Sequence, residues 1–369
     1  MRVGIAFGCY CPLHQGHLDV IMRAKKENDL TFVFVCGYDN DRGGDVLPLI
    51  KRYRIIANYL KDDCVVVGKI DDTQLGLDES MSDSNWKIWV DEARSQMEQY
   101  LVGESEVQYT WYVSEPEYKT AIEKLGIGEC VLMDRTENPV SGTLCRTKPL
   151  KYWHKITAPF RAYYSHNILI TGTASEGKTT LTHDIGRYFS IPYSYEKGRD
   201  NCHLKTDPEF TIKDFMYNVY EQHKYNEELI SSPSNPGVFI SDTDNIVTLM
   251  YAYAYKDRPG FCINDEEYQT LYRMAKAYMQ TTKWDKIFLI KPSRRGIVDD
   301  GERYMPDSDY EIRFAFYEKL KSLYDEFGYE YEELCGTYYS NFCTVRDYIN
   351  KLYEEDNEGK SRSFTKLSS

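Results

Sequence analysis

The sequence predicts an α/β chain of two successive domains, each built on a parallel sheet. Three observations carry this. Residues 2–26 read as strand, glycine-containing loop and helix. The same order restarts at residue 167. Between these points, apolar runs of strand length alternate with helical stretches. A length of 369 residues also suits two domains.

Along the chain, residues 2–7 form a short apolar strand, and a loop containing Gly8, Pro12 and Gly16 leads into a helix over 16–26. The apolar run 31–35 follows as a second strand, and a β-α-β unit of this kind implies parallel pairing. Residues 48–60 are then helical, 64–67 strand, 85–102 helical, 108–113 strand, 117–125 helical and 129–133 strand. That alternation describes a doubly wound domain. A strand over 167–170, a loop over 172–177 and a helix over 178–189 start the second domain. Further strands are expected at 238–240 and 286–290, and helices near 211–230, 244–256, 265–280 and 308–326. The expected division is a first domain over 1–150, a packed linker over 151–165, a second domain over 166–353 and a polar tail over 354–369. The linker carries Lys151, Trp153, Phe160 and Tyr163, a composition that packs rather than flexes. The tail is polar enough to fray.

Composition narrows the function classes. Hydrophobic residues make up 42% and aromatics 14%, which builds cores and argues against disorder. The net charge of −13 and pI of about 5.2 exclude a nucleic-acid binder that neutralises phosphates with clustered Lys and Arg. A nucleotide is a different matter, because helix N-termini, backbone amides, a few cations and a metal suffice for it. The ten cysteines show no Cys-x-x-Cys and no repeating spacing, so they read as reduced thiols of a cytoplasmic protein. Cys9 and Cys11 lack a second ligand pair at a familiar zinc spacing. No apolar run reaches membrane-spanning length, and residues 3–7 are too short for a signal peptide.

The first loop reads Gly8-Cys9-Tyr10-Cys11-Pro12-Leu13-His14-Gln15-Gly16-His17. It leaves the carboxyl end of the first strand, where α/β sheets bind ligands. Gly8 permits close backbone approach, Tyr10 lines the loop, and Gly16 sits at the helix start, where amides and dipole favour phosphate. His14 and His17 are three apart and share a face. Imidazoles there can steady charge moving onto a leaving pyrophosphate. The plainer alternative is two satisfied histidines beside a helix start.

The second loop, Gly172-Thr173-Ala174-Ser175-Glu176-Gly177-Lys178-Thr179-Thr180, satisfies the P-loop pattern between a strand and a helix. Its amides would cradle phosphates, Lys178 would reach the outer oxygens and Thr179 would bind Mg²⁺. The alternative is a glycine-rich turn that only caps a helix. Asp242, just past a strand, stands where a second Mg²⁺ ligand is needed, though strand-end aspartates also cap helices. The segment from Lys291 to Arg303, with Arg294, Arg295, Asp299 and Asp300, suits a lid over phosphates and equally a solvated charged loop.

His14-x-Gly16-His17 resembles the His-x-Gly-His signature of the nucleotidylyltransferase superfamily, and Ser141-Gly142-Thr143-Leu144-Cys145-Arg146 resembles its Ser-x-Thr-x-x-Arg element. By that resemblance Ser141 caps a helix, and Thr143 and Arg146 meet the triphosphate. Both domains in this order resemble the bifunctional nicotinamide-nucleotide adenylyltransferase/ribosylnicotinamide kinases, the NadR-like proteins, to about residue 350. The resemblance implies a Rossmann-like nucleotidylyltransferase domain followed by a P-loop NTPase-type kinase domain. It implies nicotinamide riboside, nicotinamide mononucleotide and ATP as ligands, NAD as product, Mg²⁺ as cofactor, and a homo-oligomer as one form of the protein. Asn85-Trp86-Lys87-Ile88-Trp89 looks like the family's paired-tryptophan segment, and an indole face suits a cationic pyridinium. Packing on the buried face of a helix suits the pair as well. Ser114-Glu115-Pro116, Asp134-Arg135-Thr136 and the run Lys148 to Trp153 also look like family strings. Glu196-x-Gly198-Arg199 and Asp242-x-Asp244 imply that Glu196, Arg199, Asp242 and Asp244 surround the riboside and the transferred phosphoryl group.

Two departures stand out. Cys9 replaces the family's usual Lys or Arg after the first glycine, which implies a lost phosphate cation and weaker adenylylation. Cys145 replaces an aliphatic residue. Because the first strand starts at residue 2, the DNA-binding domain of some members is not expected here. Three other readings stay open. A riboflavin kinase/FAD synthetase is disfavoured by the P-loop. A kinase with a weak adenylyltransferase would follow from Cys9. A non-enzymatic sensor of ATP and NAD would not need the full set of Lys178, Thr179, Asp242, His14 and His17.

Overall fold

The computed structural model describes residues 1–39, 46–77, 82–134, 136, 138–202, 210–256, 263–294 and 309–358. The chain divides into two compact units, Met1–Arg161 with the chain end from Glu355, and Ala162–Glu354.

The first unit alternates β1 (Arg2–Gly8), α1 (Gln15–Glu27), β2 (Leu30–Gly37), α2 (Leu49–Tyr59), β3 (Val65–Asp71), α3 (Asp83–Glu98), β4 (Gln108–Val113), α4 (Pro116–Leu125) and β5 (Glu129–Leu132). The strands are all parallel, in the order β3-β2-β1-β4-β5. Helices cover both faces of such a sheet, so its central strands are near-continuous apolar runs. Val3–Ala6 of β1 and Phe32–Val35 of β2 are accordingly buried throughout. On one face Val3, Ile5, Phe32, Phe34 and Trp111 pack with Trp86, Trp89, Val90, Ala93 and Met97 of α3. Ser82 caps α3 by accepting from Asn85 N, and Gly126 ends α4 at φ +60°. The short helices α5 (Gly142–Thr147) and α6 (Ala158–Tyr164) follow, with a single 3₁₀ turn at Trp153–Lys155 between them. Trp153 and Phe160 are buried.

The second unit runs β6 (His166–Gly172), α7 (Lys178–Phe189), β7 (Tyr193–Ser194), α8 (Gly198–Cys202), α9 (Ile212–Ser231), β8 (Val238–Asp242), α10 (Asn245–Lys256), α11 (Asp265–Thr281), β9 (Lys286–Ile290), α12 (Tyr310–Glu326), β10 (Glu332–Leu334) and α13 (Tyr338–Glu358). Its sheet is again parallel, in the order β10-β9-β6-β8-β7. The register pairs Ile170 with Asp242 and Gly172 with Ile290, which brings the P-loop and Asp242 to one end of the sheet.

Several elements lie beyond the sequence expectation. β7 and β10 are too short to show periodicity, and α13 carries its polar residues outward over most of its length. The tail holds order further than its composition indicates. α13 continues to Glu358, Asp356 accepts from Leu150 N and Lys151 N at 2.9 Å each, and Lys148 Nζ donates to Asn357 O at 2.6 Å. Among the described residues no helix is long and apolar enough to cross a membrane.

Candidate functional site

The first unit gathers a histidine loop at the carboxyl end of β1. His14 is the N-cap residue of α1 and is 2% exposed, and its backbone forms a β-bridge with Ile156. His17, in the first turn of α1, stacks on it with ring centroids 3.6 Å apart. The buried Tyr10 ring meets His17 edge-on at 4.9 Å. A Cβ on Gly16 would lie 3.1 Å from Val140 Cγ1 and 3.3 Å from the His14 ring, so this close approach favours glycine. Gly8 packs likewise under Tyr10. Ser141 caps α5 by accepting from Leu144 N at 3.2 Å. Arg146, 6% exposed, crosses to the loop, donating to Cys11 O at 2.7 Å and to Thr143 Oγ1 at 3.2 Å. The two widely separated sequence elements therefore meet, with two imidazoles and one guanidinium beside the starts of α1 and α5.

Arg52 was not legible in the sequence as part of this loop. It is fully buried on α2 and donates to Leu47 O and Cys9 O at 2.7 Å each, and to Cys36 O at 2.8 Å. Its Nη1 also lies 3.4 Å from Cys9 Sγ. A cation does stand beside Cys9, but it comes from α2. The available signal was position: with Leu49 and Ile56, Arg52 falls on the buried stripe of α2.

Trp86 and Trp89 are core residues, 9% and 7% exposed. Phe7 packs against both, with centroids at 5.9 and 4.9 Å, and Tyr118 lies 5.4 Å from Trp86. Both indoles thus lie among aromatic rings at one end of the sheet's core face.

The second unit gathers the P-loop at the carboxyl end of β6. Gly172 sits at φ +148°, where a Cβ would come within 2.9 Å of Ile290 O; Ser175 and Gly177 also take positive φ. Thr173 and Lys178 are buried, and Lys178 Nζ donates to Thr173 O at 3.0 Å. Ala174 is half-buried and Thr180 is exposed on the outer side of α7. Thr179 Oγ1 donates to Asp242 Oδ2 at 2.5 Å. Burial pushes the Asp242 carboxyl up to about 6 against the Lys178 ammonium, and the Glu196 charge adds to the rise. Asp242 Oδ1 is buried with no hydrogen-bond partner. A hydroxyl and a buried carboxylate with an unsatisfied oxygen form the hard-oxygen pair that Mg²⁺ takes alongside phosphates and water, so these residues fit the ion. Among the described residues no group of three or more His, Cys, Asp or Glu could hold a metal unaided.

The expectation for Glu176 concerns its backbone amide, and its side chain is engaged elsewhere. Its side chain is 3% exposed and forms an ion pair with Arg313 of α12, also 3% exposed. Ser293, after β9, donates its N–H to Glu176 Oε2 at 3.1 Å and accepts from Arg313 Nη2 at 3.0 Å. Asp244 caps α10, accepting from Ile246 N at 3.1 Å and Val247 N at 3.3 Å, and from Tyr324 Oη at 3.0 Å. It is 1% exposed, and burial pushes it up to about 7. These bonds all use Oδ1; Oδ2 is buried with no hydrogen-bond partner. Glu196 and Arg199 remain accessible, with side chains 23% and 38% exposed and paired at 3.4 Å. Polar contacts tie their segment to β8 and α9: Ser194 Oγ and Ser241 Oγ lie 2.7 Å apart, Ser241 Oγ donates to Asn226 Oδ1 at 3.3 Å, and Lys197 N donates to Gln222 Oε1 at 2.8 Å. Arg135, Arg295, Asp299, Asp300 and Arg303 lie outside the described residues.

A parallel-sheet domain with a histidine loop and an arginine helix, followed by a P-loop domain with a strand-end aspartate, defines a two-domain nucleotide-handling protein. Comparison with known proteins agrees. Residues 5–148 match the cytidylyltransferase-like family and residues 167–340 match an AAA domain family. The trifunctional NAD biosynthesis/regulator protein NadR of Salmonella typhimurium is 28% identical over 276 residues, covering 70% of this chain and 64% of that protein. Its Escherichia coli K12 counterpart is 25% identical, covering 69% and 63%. The chain thus spans just under two thirds of the length of these curated relatives. A crystal structure of NadR protein in complex with NR superposes with a TM-score of 0.81 at 27% identity, covering 95% of both chains. Another, in complex with NAD and AMP-PNP, gives 0.78 at 27% identity, covering 96% of both. The chain is thus similar to NadR in sequence and in fold.

Proposed function

We propose that the chain makes NAD from nicotinamide riboside in two ATP-dependent steps. The second unit phosphorylates the riboside to the mononucleotide, and the first unit transfers AMP from ATP to the mononucleotide, releasing pyrophosphate. The observation that carries this reading is the presence of two chemically different phosphate cradles in one chain, each at the carboxyl end of its own sheet. NadR solved with NR, and with NAD and AMP-PNP, supports the choice of ligands.

In the kinase step the riboside hydroxyl attacks the γ-phosphorus of ATP. Backbone amides of 172–179 and the Lys178 ammonium hold the phosphates, and Glu196 and Arg199 flank the acceptor. Thr179 and Asp242 would hold Mg²⁺, which supplies charge neutralisation on the transferring phosphoryl group. In the adenylyl step the mononucleotide phosphate attacks the α-phosphorus of a second ATP. His14, His17 and Arg146 steady the departing pyrophosphate, with no covalent intermediate on the protein. Arg52 keeps the histidine loop in shape, and Trp86 and Trp89 serve the core behind it. The same reading puts the protein in the cytoplasm, with a homo-oligomer as the assembly that sedimentation would report.

Paired variants test the assignment. Lys178→Ala should lower riboside phosphorylation by at least about a hundredfold and leave adenylylation of supplied mononucleotide intact, since one lost electrostatic contact to the reacting charge costs roughly that much. His17→Ala should do the reverse. A folded variant that lost both activities would refute the two-site assignment.

A further inference from the structure

Beside the kinase cradle, an aromatic pair already holds a cation. Tyr195 follows β7 directly and Tyr225 lies on α9, with ring centroids 5.2 Å apart at 60°. Lys197 Nζ sits 4.5 Å from the Tyr195 centroid and 4.6 Å from the Tyr225 centroid. It donates to Tyr195 Oη at 2.5 Å and to Asp200 Oδ2 at 3.1 Å. Burial works against the charge, but these partners outweigh it and raise the ammonium above its ordinary value. The side chain is 19% exposed, so this is a nearly enclosed seat for a positive group, with aromatic faces and one counter-carboxylate.

The seat lies close to the chemistry. Ser194 Oγ, next to Tyr195, meets Ser241 Oγ, next to Asp242, at 2.7 Å. On the kinase reading, an acceptor whose hydroxyl reaches Asp242 has residues 195–197 and α9 within reach of its base. The base of an N-linked pyridine riboside carries a fixed positive charge. Two cations cannot share one aromatic seat, because like charges at contact distance repel.

We propose that Lys197 is a specificity-determining residue of the kinase site, because its ammonium occupies the cation seat that the pyridinium must take. Binding is then an exchange of one cation for another, and Lys197 is a tethered competitor that sets the Michaelis constant for cationic acceptors. The inference rests on the kinase reading above.

The test compares nicotinamide riboside with its neutral dihydronicotinamide counterpart in the full chain with Mg²⁺ and ATP. Lys197→Met should lower KM for the cationic riboside about three- to tenfold, the scale of a partly buried cation–π contact, with kcat unchanged. KM for the neutral riboside should move less than twofold. Lys197→Arg should keep the wild-type ratio of the two constants. If Lys197→Met raises KM for the cation, or shifts both ribosides equally while remaining folded by circular dichroism, the competitor role is wrong. Wild-type chain that phosphorylates neither riboside would overturn the kinase reading instead, and the Lys197 assignment with it.

Discussion

Arg52 shows how much a single side chain can organise. One buried guanidinium satisfies Cys9 O of the histidine loop, Cys36 O of β2 and Leu47 O before α2. Its removal leaves buried carbonyls unpaired at about 1–3 kcal/mol each. Arg52→Met should therefore lower the melting temperature of the first unit and cut adenylylation at least about tenfold, while riboside phosphorylation persists. Calorimetry and separate assays of the two steps check this, and an unchanged adenylylation rate would show that the loop holds itself. At this scale the sequence was legible where chemistry clusters locally: His14 and His17 share one loop, and Lys178 and Thr179 share another. It was less legible where a residue's meaning depends on what packs against it. Asp244 and Glu176 sit in motif positions, yet Ile246 N, Tyr324 and Arg313 engage them. Trp86 and Trp89 left two readings open because an apolar helix face and a stacking platform use the same residues.

At the scale of elements, the P-loop is tied to α12 and to the end of β9 through Glu176, Arg313 and Ser293. A carboxylate in the loop that receives a triphosphate would repel it unless neutralised, and Arg313 supplies the neutralising charge. Arg313→Met should raise KM for ATP well above tenfold, since breaking a buried pair by removing one partner costs about 3–5 kcal/mol. Glu176→Gln combined with Arg313→Met should recover most of that loss. Failure of the double variant to recover would mean that Arg313 acts through packing and not through charge. The strands and long helices were readable because period 2, period 3.6 and glycine punctuation all operate within a short window. β7, β10 and α8 escaped because two to five residues carry no period, and their places come from pairing with β8 and β9 and from packing on α9. The lid expected over 291–303 is described only as far as Arg294, whose guanidinium lies over the Tyr310 ring at 4.3 Å.

For the whole molecule, each of two parallel sheets carries its own loop at the carboxyl end of a strand, and on the proposed function the product of one unit is the substrate of the other. The order of the domains was legible because each opens with its own strand, loop and helix. The most direct measurement follows the products of purified protein supplied with nicotinamide riboside, ATP and Mg²⁺ by chromatography over time. Mononucleotide should rise first and fall as NAD accumulates with pyrophosphate, and chelation of Mg²⁺ should stop both. NAD appearing with no mononucleotide intermediate in any pulse-chase, or no phosphorylated riboside at all, would contradict the account.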